Sequence, residues 1–420
     1  MESETIKHYI EKIKLYSRQN YERMTRRPNG LLKYPFIVPG SESYSDSLWD
    51  WDSWLTDVAV RQIMKDNGND NRNVLEYEKG CILNFLEHTT DDGWMPICIS
   101  PDFILPCRLE GKNTNIHKPC LAQHAAFIIQ QNAGECSWLE PCQQKLEAYL
   151  TYYKNTMFHT KTGLYFWIDD TAIGVDNDPC TFYRPDGSSA SIYLNCMMYK
   201  ELLAMAYISK QMKTGMEMSY EIEAEQLKAA VNEYLWDERN GFYYSADLNL
   251  KGIDSSEWLH SGCPRHWDSV IQKIDCWSGF MAMWAGIATT ERAKRMVKEN
   301  MENSELFSGR YGIRTLAKTE KMYCIVKSGN PSCWLGPVWG VSNYICFRAL
   351  STYGYVEEAR KLAIKTIELF GQDLEEYGEF HEYYDPDTGV GVNNQGFQSW
   401  NLLVNNMIAE VENIEVIKEF

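Results

Sequence analysis

Thr162-Gly-Leu-Tyr-Phe-Trp167 lies between two helical patterns and returns in kind as Asn240-Gly-Phe-Tyr-Tyr244. Each copy reads aromatic–x4–Gly–x–Tyr and follows a helical segment, and the two stand about two helices apart, the mark of an internal repeat. Asn240-Gly241 predicts a tight hairpin turn between short strands. A third variant, Tyr384-Asp-Pro-Asp-Thr-Gly389, recurs near the end of the chain.

Around these punctuating hairpins the periodicity is helical. Ile6, Tyr9, Ile10 and Ile13 follow the i, i+3, i+4, i+7 spacing, as do Val356, Ala359, Leu362, Ala363 and Ile367. Helices are expected near 3–25, 53–66, 72–87, 119–131, 138–156 and 188–211. Six more are expected near 219–237, 272–286, 290–303, 334–351, 355–373 and 394–411. Ser188-Ser189 and Thr290 followed by Glu291 read as helix starts. Twelve helices with a repeating hairpin predict an all-α fold, an (α/α)6 barrel with short β-hairpins in its loops. A superhelical solenoid is the alternative. The polar, function-like loops follow alternate helices, which favours a closed ring that brings them to one mouth. No low-complexity tract, linker or block of like charge divides the chain, so one domain over residues 1–420 is expected.

The chain has 58 acidic and 41 basic residues, a formal net charge of −17. A polyphosphate partner needs a basic stripe, so nucleic-acid binding is disfavoured. The N-terminal MESETIKHYIEKIKLYSRQN is amphipathic and lacks the apolar stretch of a signal peptide, and no apolar run is long enough to span a bilayer. Thirteen cysteines are scattered without metal-ligand spacing. They read as small buried hydrophobes in a reducing compartment, and a cytoplasmic location is expected. No metal and no cofactor is expected. Assembly with further copies of the chain stays open.

Aromatic residues are abundant: 14 Trp, 26 Tyr and 15 Phe. Most are expected in the core. Many, however, stand beside Asp, Asn and Gly, as in SLWDWDSW and EYYDPDTG, where flat apolar faces ringed by polar groups suit a sugar.

Four constellations could carry chemistry. Tyr44 and Trp49-Asp50-Trp51-Asp52-Ser53-Trp54 precede a helix, and the plainer reading makes Asp50 or Asp52 its cap. Gly174-Val-Asp176-Asn-Asp178-Pro179, followed by Tyr183-Arg184-Pro-Asp186, reads equally well as turn chemistry. His381-Glu382-Tyr383-Tyr384-Asp385 could be a strand end with an exposed glutamate. Trp334-Leu-Gly336-Pro-Val-Trp339 could be an apolar helix start. Together they offer separated carboxylates in aromatic surroundings, as glycoside hydrolysis requires: one acid kept protonated, one carboxylate ionised. No phosphate-binding glycine loop, metalloprotease motif or serine elbow occurs.

The WDWDSW, GVDNDP, WLGPVW and EYYDPDTG segments, in this order, resemble glycoside hydrolase family 63, especially its single-domain mannosylglycerate and glucosylglycerate hydrolases, with trehalases as distant relatives. DDGWMP, WSGFMAMWAGIAT and SSASIYLNCMMYKEL support the likeness, which runs from about residue 30 onward. The resemblance implies an (α/α)6 barrel and hydrolysis with inversion. It implies Asp176 as general acid and Glu382 as general base, with Asp52 holding sugar hydroxyls. Tyr44, Trp49, Trp51, Trp54, Trp334, Gly336 and Trp339 would shape the sugar site, with Arg184 and His381 beside it. Rival carboxylates are Asp170, Asp178 and Asp186 for the acid and Glu379 for the base. Many relatives carry Glu-Ser where this chain has Ala172-Ile173, and Trp-Arg-Gly-Pro where it has Leu335, which opens the identity of the leaving group. A glycerate carboxylate would need a cation, with Lys118, Arg184, Arg265, His266 and His381 as candidates. The expected partner is therefore a small carbohydrate: a glucosylglycerate, a mannosylglycerate or a neutral α-glucoside. A sugar epimerase on the same scaffold and a non-catalytic sugar-binding protein are the rival readings.

Overall fold

Helix formation follows the apolar spacing. In the first helix Ile6, Tyr9, Ile10 and Ile13 are all buried, and Ser3 caps it, its hydroxyl accepting from the Ile6 amide at 3.2 Å. Each such buried aliphatic side chain contributes roughly 1.5–3 kcal/mol. The computed structural model describes residues 3–68, 72–108, 111–182, 184–250, 267–326 and 331–420, so that Tyr183, Arg265 and His266 lie outside the described residues.

The described residues hold twelve α-helices. The first six are α1 Glu4–Asn20, α2 Asp50–Asp66, α3 Arg72–Glu87, α4 Leu121–Gln131, α5 Gln143–Thr156 and α6 Ile192–Met212. The others are α7 Glu217–Tyr234, α8 Met281–Trp284, α9 Thr290–Arg295, α10 Gly340–Thr352, α11 Val356–Tyr377 and α12 Val404–Val411. Every expected segment contains a helix, and the differences lie at starts and ends: α1 stops at Asn20 instead of near 25, and α9 passes into a π-helical turn at Met296–Met301. The segment expected from 334 begins at Gly340, because Gly336-Pro337 holds the preceding chain extended. Those expected from 272 and 394 open with 3-10 turns at Trp277–Phe280 and Ser399–Leu403. The cap of α9 is Thr289, one residue before the expected start, its hydroxyl accepting from the Arg292 amide at 3.3 Å. Ser189 is in a short strand, and the residue at the head of α6 is Ser191.

The even-numbered helices pack in succession: α2 on α4, α4 on α6, α6 on α8, α8 on α10, α10 on α12, and α12 back on α2. From Asp50 to Met64, α2 is buried on all faces, whereas α1 and α11 bury only an apolar stripe and flank the succession from outside.

The hairpin repeat has one geometry. Phe158-His159 pairs with Leu164-Tyr165, and Trp236-Asp237 pairs with Phe242-Tyr243. Each closes through a four-residue loop in which the glycine amide reaches back four residues, Gly163 to His159 at 2.8 Å and Gly241 to Asp237 at 3.0 Å. Both glycines sit at positive φ, 72° and 58°, where a side chain would be strained. The expected two-residue Asn-Gly turn is therefore replaced by a longer loop. Gly389 makes the same bond to Asp385, at 2.9 Å.

The other short strands join distant loops. Leu48-Trp49 pairs with Cys98-Ile99, and Val338-Trp339 pairs with Tyr383-Tyr384. The loops so joined lead into α2 and α4, and into α10 and α12. No helix among the described residues is long and apolar enough to cross a membrane.

Candidate active site

Among the described residues, the loops entering α2, α4, α6, α10 and α12 enclose a cavity of about 250 Å³. Tyr44, Trp49, Trp51 and Asp52 come from the entry to α2, and Lys118 from the entry to α4. Thr171, Ala172, Gly174 and Asp176 come from the loop before α6, Trp339 from the head of α10, and Glu382, Phe397 and Trp400 from the approach to α12. Ile97, Leu105 and Pro106 add an apolar side.

Glu382 is brought here by the pairing of Tyr383 with Trp339, which ties two segments 44 positions apart into one wall. Its side chain is buried, only 4% exposed, and is ringed by donors. Its carboxylate accepts from the Tyr44 hydroxyl at 3.3 Å, from the Asn393 amide at 3.1 Å, and from the Asn394 amide at closer range. Asn394 holds φ at 41°, a conformation that aspartate and asparagine tolerate better than other side chains. Burial pushes the Glu382 carboxyl up to about 7; the hydrogen bonds oppose this, and the charge of Asp176 adds to it.

A carboxylate so placed is poised near neutrality, where a general base works best. To serve as a base Glu382 must be ionised, and that role predicts a kcat/KM that rises with pH through about 7. A pH profile of kcat/KM checks this, and a limb near the ordinary glutamate value of 4.5 would contradict it.

Asp52 lies in the first turn of α2 and is 6% exposed. Burial and the neighbouring Asp50 raise its carboxyl to about 8, against the pull of Lys118 and the Ser399 hydroxyl, which donates at 3.1 Å. A carboxyl held protonated at neutral pH offers a donor as well as an acceptor to a sugar hydroxyl. Neither Asp50 nor Asp52 caps α2, whose cap position is Trp49. Asp50 instead pairs with the Lys118 ammonium, 2.7 and 2.9 Å from its two oxygens.

Behind the cavity stands an aromatic stack. Trp339 lies flat on Trp334, with centroids 4.1 Å apart at 9°, and also stacks with Tyr383 at 4.7 Å. Trp51 meets Trp400 edge-on at 5.0 Å. The Asn177 side chain accepts from the Trp334 amide at 2.9 Å and so fastens the Asp176 loop to this stack.

The family described as "Mannosylglycerate hydrolase MGH1-like glycoside hydrolase domain" matches residues 45–400. The chain belongs to this family. It is 28% identical over 241 residues to the probable trehalase of Eremothecium gossypii, a match over 54% of this chain and 29% of that protein. It is 30% identical over 185 residues to the mannosylglycerate hydrolase of Thermus thermophilus, a match over 44% of this chain and 37% of the relative. The match therefore spans well under half the length of each curated relative. A crystal structure of the GH63 mannosylglycerate hydrolase from Thermus thermophilus in complex with glucose has the same fold, with a TM-score of 0.66 at 19% identity. That likeness covers 92% of this chain and 98% of the other.

Within this glycoside hydrolase domain, seven of the residues singled out from the sequence line the cavity: Tyr44, Trp49, Trp51, Asp52, Asp176, Trp339 and Glu382. Five do not. Trp54 packs against Trp284 of α8, with centroids 6.4 Å apart. Trp334 is the second layer behind Trp339. Gly336 packs on Tyr323 and donates its amide to the Thr315 hydroxyl at 3.1 Å. Arg184 is paired with Asp247, which occupies its charge. His381 is held from behind by Asp373 of α11, its Nδ1 2.8 Å from Oδ1. Of the basic candidates for a glycerate carboxylate, Lys118 does reach the cavity, but its charge is engaged by Asp50.

The rival carboxylates are placed elsewhere. Asp178 takes the turn role, accepting from the Cys180 amide and the Thr181 hydroxyl, each at 3.2 Å. Asp170 and Asp186 are exposed, and Glu379 lies 3.9 Å from Arg23. Ala172 lines the cavity, whereas Leu335 packs with Leu316, Cys180 and Cys276. Sequence reasoning missed Asn393, Asn394 and Ser399, which hold the two carboxyls, and the apolar wall of Leu105, Pro106, Phe397 and Trp400. The Asn-Asn run after Gly389 was the available signal; its polarity reads as a turn.

Proposed function

We propose that the chain is an inverting α-glycoside hydrolase acting on a small α-glucoside or α-mannoside, working as one domain over residues 1–420. The observation that carries this reading is Glu382: a buried carboxylate ringed by Tyr44, Asn393 and Asn394, on the same tryptophan-lined cavity as Asp176. Asp176 gives its proton to the glycosidic oxygen as the bond from that oxygen to the anomeric carbon breaks. Glu382 takes a proton from a water whose oxygen bonds to the opposite face of the same carbon. Asp176 ends ionised and Glu382 protonated, and exchange with solvent restores both. Such a pair stands ~6.5–9.5 Å apart to admit the water. The unbroken succession of even-numbered helices supports a six-hairpin toroid with the cavity at its mouth.

A cavity of about 250 Å³ suits one sugar ring with a small leaving group better than a polymer, since pockets for drug-sized ligands run roughly 300–1,000 Å³. A trehalase and a mannosylglycerate hydrolase among the relatives agree with a small α-linked substrate, and a cytoplasmic location fits it. No imidazole belongs to the described residues lining the cavity, which weighs against histidine-driven epimerisation.

The test is an NMR time course with glucosylglycerate, mannosylglycerate, trehalose, kojibiose and a nitrophenyl α-glucoside. β-Sugar is expected to appear before mutarotation, and Asp176→Asn is expected to abolish release from the unactivated substrates. α-Sugar appearing first, or release that survives Asp176→Asn, overturns the reading.

A further inference from the structure

Lys118 is a fixed point at which the proposed acid loop meets the helix that carries Asp52. Its ammonium bonds both oxygens of Asp50 at 2.7 and 2.9 Å, and its own amide donates to Asp50 at 3.0 Å. The side chains of both residues are almost wholly buried, at 1% and 0% exposure. The ammonium also lies 5.5 Å from the centre of the Trp51 ring, a cation–π contact with the wall residue beside Asp52. Gly174, two positions before Asp176, lies against both Lys118 and Trp51. A Cβ at Gly174 would collide with Lys118 Cε, and would come 3.1 Å from its Nζ and 3.3 Å from Trp51 Cε2. The backbone of the acid loop is thus laid directly on the lysine stem, at a glycine whose φ of 83° admits little else.

The lysine is itself a rigid post. Its carbonyl accepts from the Tyr149 hydroxyl at 2.7 Å, and the His117 carbonyl accepts from Tyr149 at 3.1 Å and Tyr153 at 2.9 Å. Both tyrosines stand on α5 and are fully buried. A side chain placed so, with its charge neutralised by Asp50, has little left for a substrate carboxylate.

We propose that Lys118 is a positioning residue that sets the height of the Asp176 loop against Trp51 and Asp52, and thereby aims the acid at the glycosidic oxygen. The proposal rests on the reading of Asp176 as the general acid. Protonation matters for a leaving group that departs poorly as an anion and hardly at all for one that departs well, so misaiming the acid has a signature that general loosening lacks.

The experiment compares methyl α-D-glucopyranoside with α-D-glucosyl fluoride, or their mannosyl counterparts if mannose is the sugar released. The Asp50→Asn/Lys118→Met variant removes both charges together, so that neither is left buried alone. Its kcat on the methyl glycoside is expected to fall about 100-fold, the cost of a displacement on the order of 1 Å. Its kcat on the fluoride should stay within about threefold and its KM should be little changed, as expected when only the aim of the acid is lost. Equal losses on both substrates, or no loss on either, overturn the positioning role. Lys118→Arg keeps Asp50 paired while altering the stem under Gly174, and should show the same split in smaller measure if the double variant does not fold. Asp176→Asn is run in parallel. If it shows the split and the lysine variants do not, the role of Lys118 alone fails. If it slows both substrates alike, the acid assignment fails and the positioning role with it.

Discussion

Glu382→Gln is expected to lower kcat about 10²–10⁴-fold, the usual contribution of one general base, with KM changed little. The substitution keeps the size of the side chain and leaves an oxygen to accept from Tyr44 or the asparagine amides. It removes the group that can take a proton from water. The alkaline-rising limb near pH 7 should vanish with it, because burial of this carboxyl is what places the limb there. Steady-state kinetics across pH checks both points together with binding of the sugar product. A variant within about tenfold of the parent rate would show that another group draws the proton. A variant that loses sugar binding as well would make Glu382 a holder of hydroxyls instead.

The second large effect is expected at Glu419. Glu419 is buried among α6, α8 and α10. Its carboxylate accepts from Trp284 of α8 at 2.9 Å, from Tyr344 of α10 at 2.5 Å and from Arg348 of α10 at 3.1 Å. Burial alone would raise its carboxyl, but Arg348 and Lys200 of α6, with the two hydrogen bonds, hold it down to about 2. The same tail is tied to α2 and α12, the Ile417 amide donating to Gln62 at 2.7 Å and its carbonyl accepting from Asn406 at 2.9 Å. Glu419→Ala leaves the partly buried Arg348 and Lys200 without this carboxylate and is expected to cost roughly 3–5 kcal/mol of unfolding free energy, read as a lowered urea midpoint. A folded-state value below the ordinary 4.5 means that the carboxylate's stabilisation is present above pH 4.5 and is lost as pH falls toward about 2. The parent protein should therefore lose that increment on acidification and the variant should not. A midpoint unchanged by Glu419→Ala would mean that the tail is not a structural brace.

The hairpin glycines and the 3.6-residue spacing made the all-α class legible, because both are local. A glycine at positive φ four residues after a strand end, or Ile6, Tyr9, Ile10 and Ile13 on one face, depends on nothing distant. Helix starts were less legible where Gly-Pro or a 3-10 turn intervened, as at Trp334 to Trp339, since apolar content there continues the helical pattern while the backbone does not.

For the site, local sequence marked the carboxylates and their tryptophans, because Trp alternating with Asp, or Asp in a Gly-Val-Asp-Asn-Asp-Pro loop, is unusual composition wherever it falls. It could not say which tryptophan faces the cavity. Trp51 and Trp54 stand three positions apart on α2, yet one lines the cavity and the other packs against Trp284 of α8. Nor could it separate Asp176 from Asp178, whose carboxylate is taken up by its own turn. The protonation of Asp52 and Glu382, the pairing of Lys118 with Asp50, and the asparagines around Glu382 all arise from contacts between residues far apart in the chain. Those contacts exist only once the strand pair Val338-Trp339 and Tyr383-Tyr384 and the succession of helices have formed. Residue type and spacing thus sufficed for helix, hairpin and the kind of chemistry, which local sterics and composition control. Burial and long-range pairing, which only the tertiary structure supplies, decided which groups meet and in what charge state.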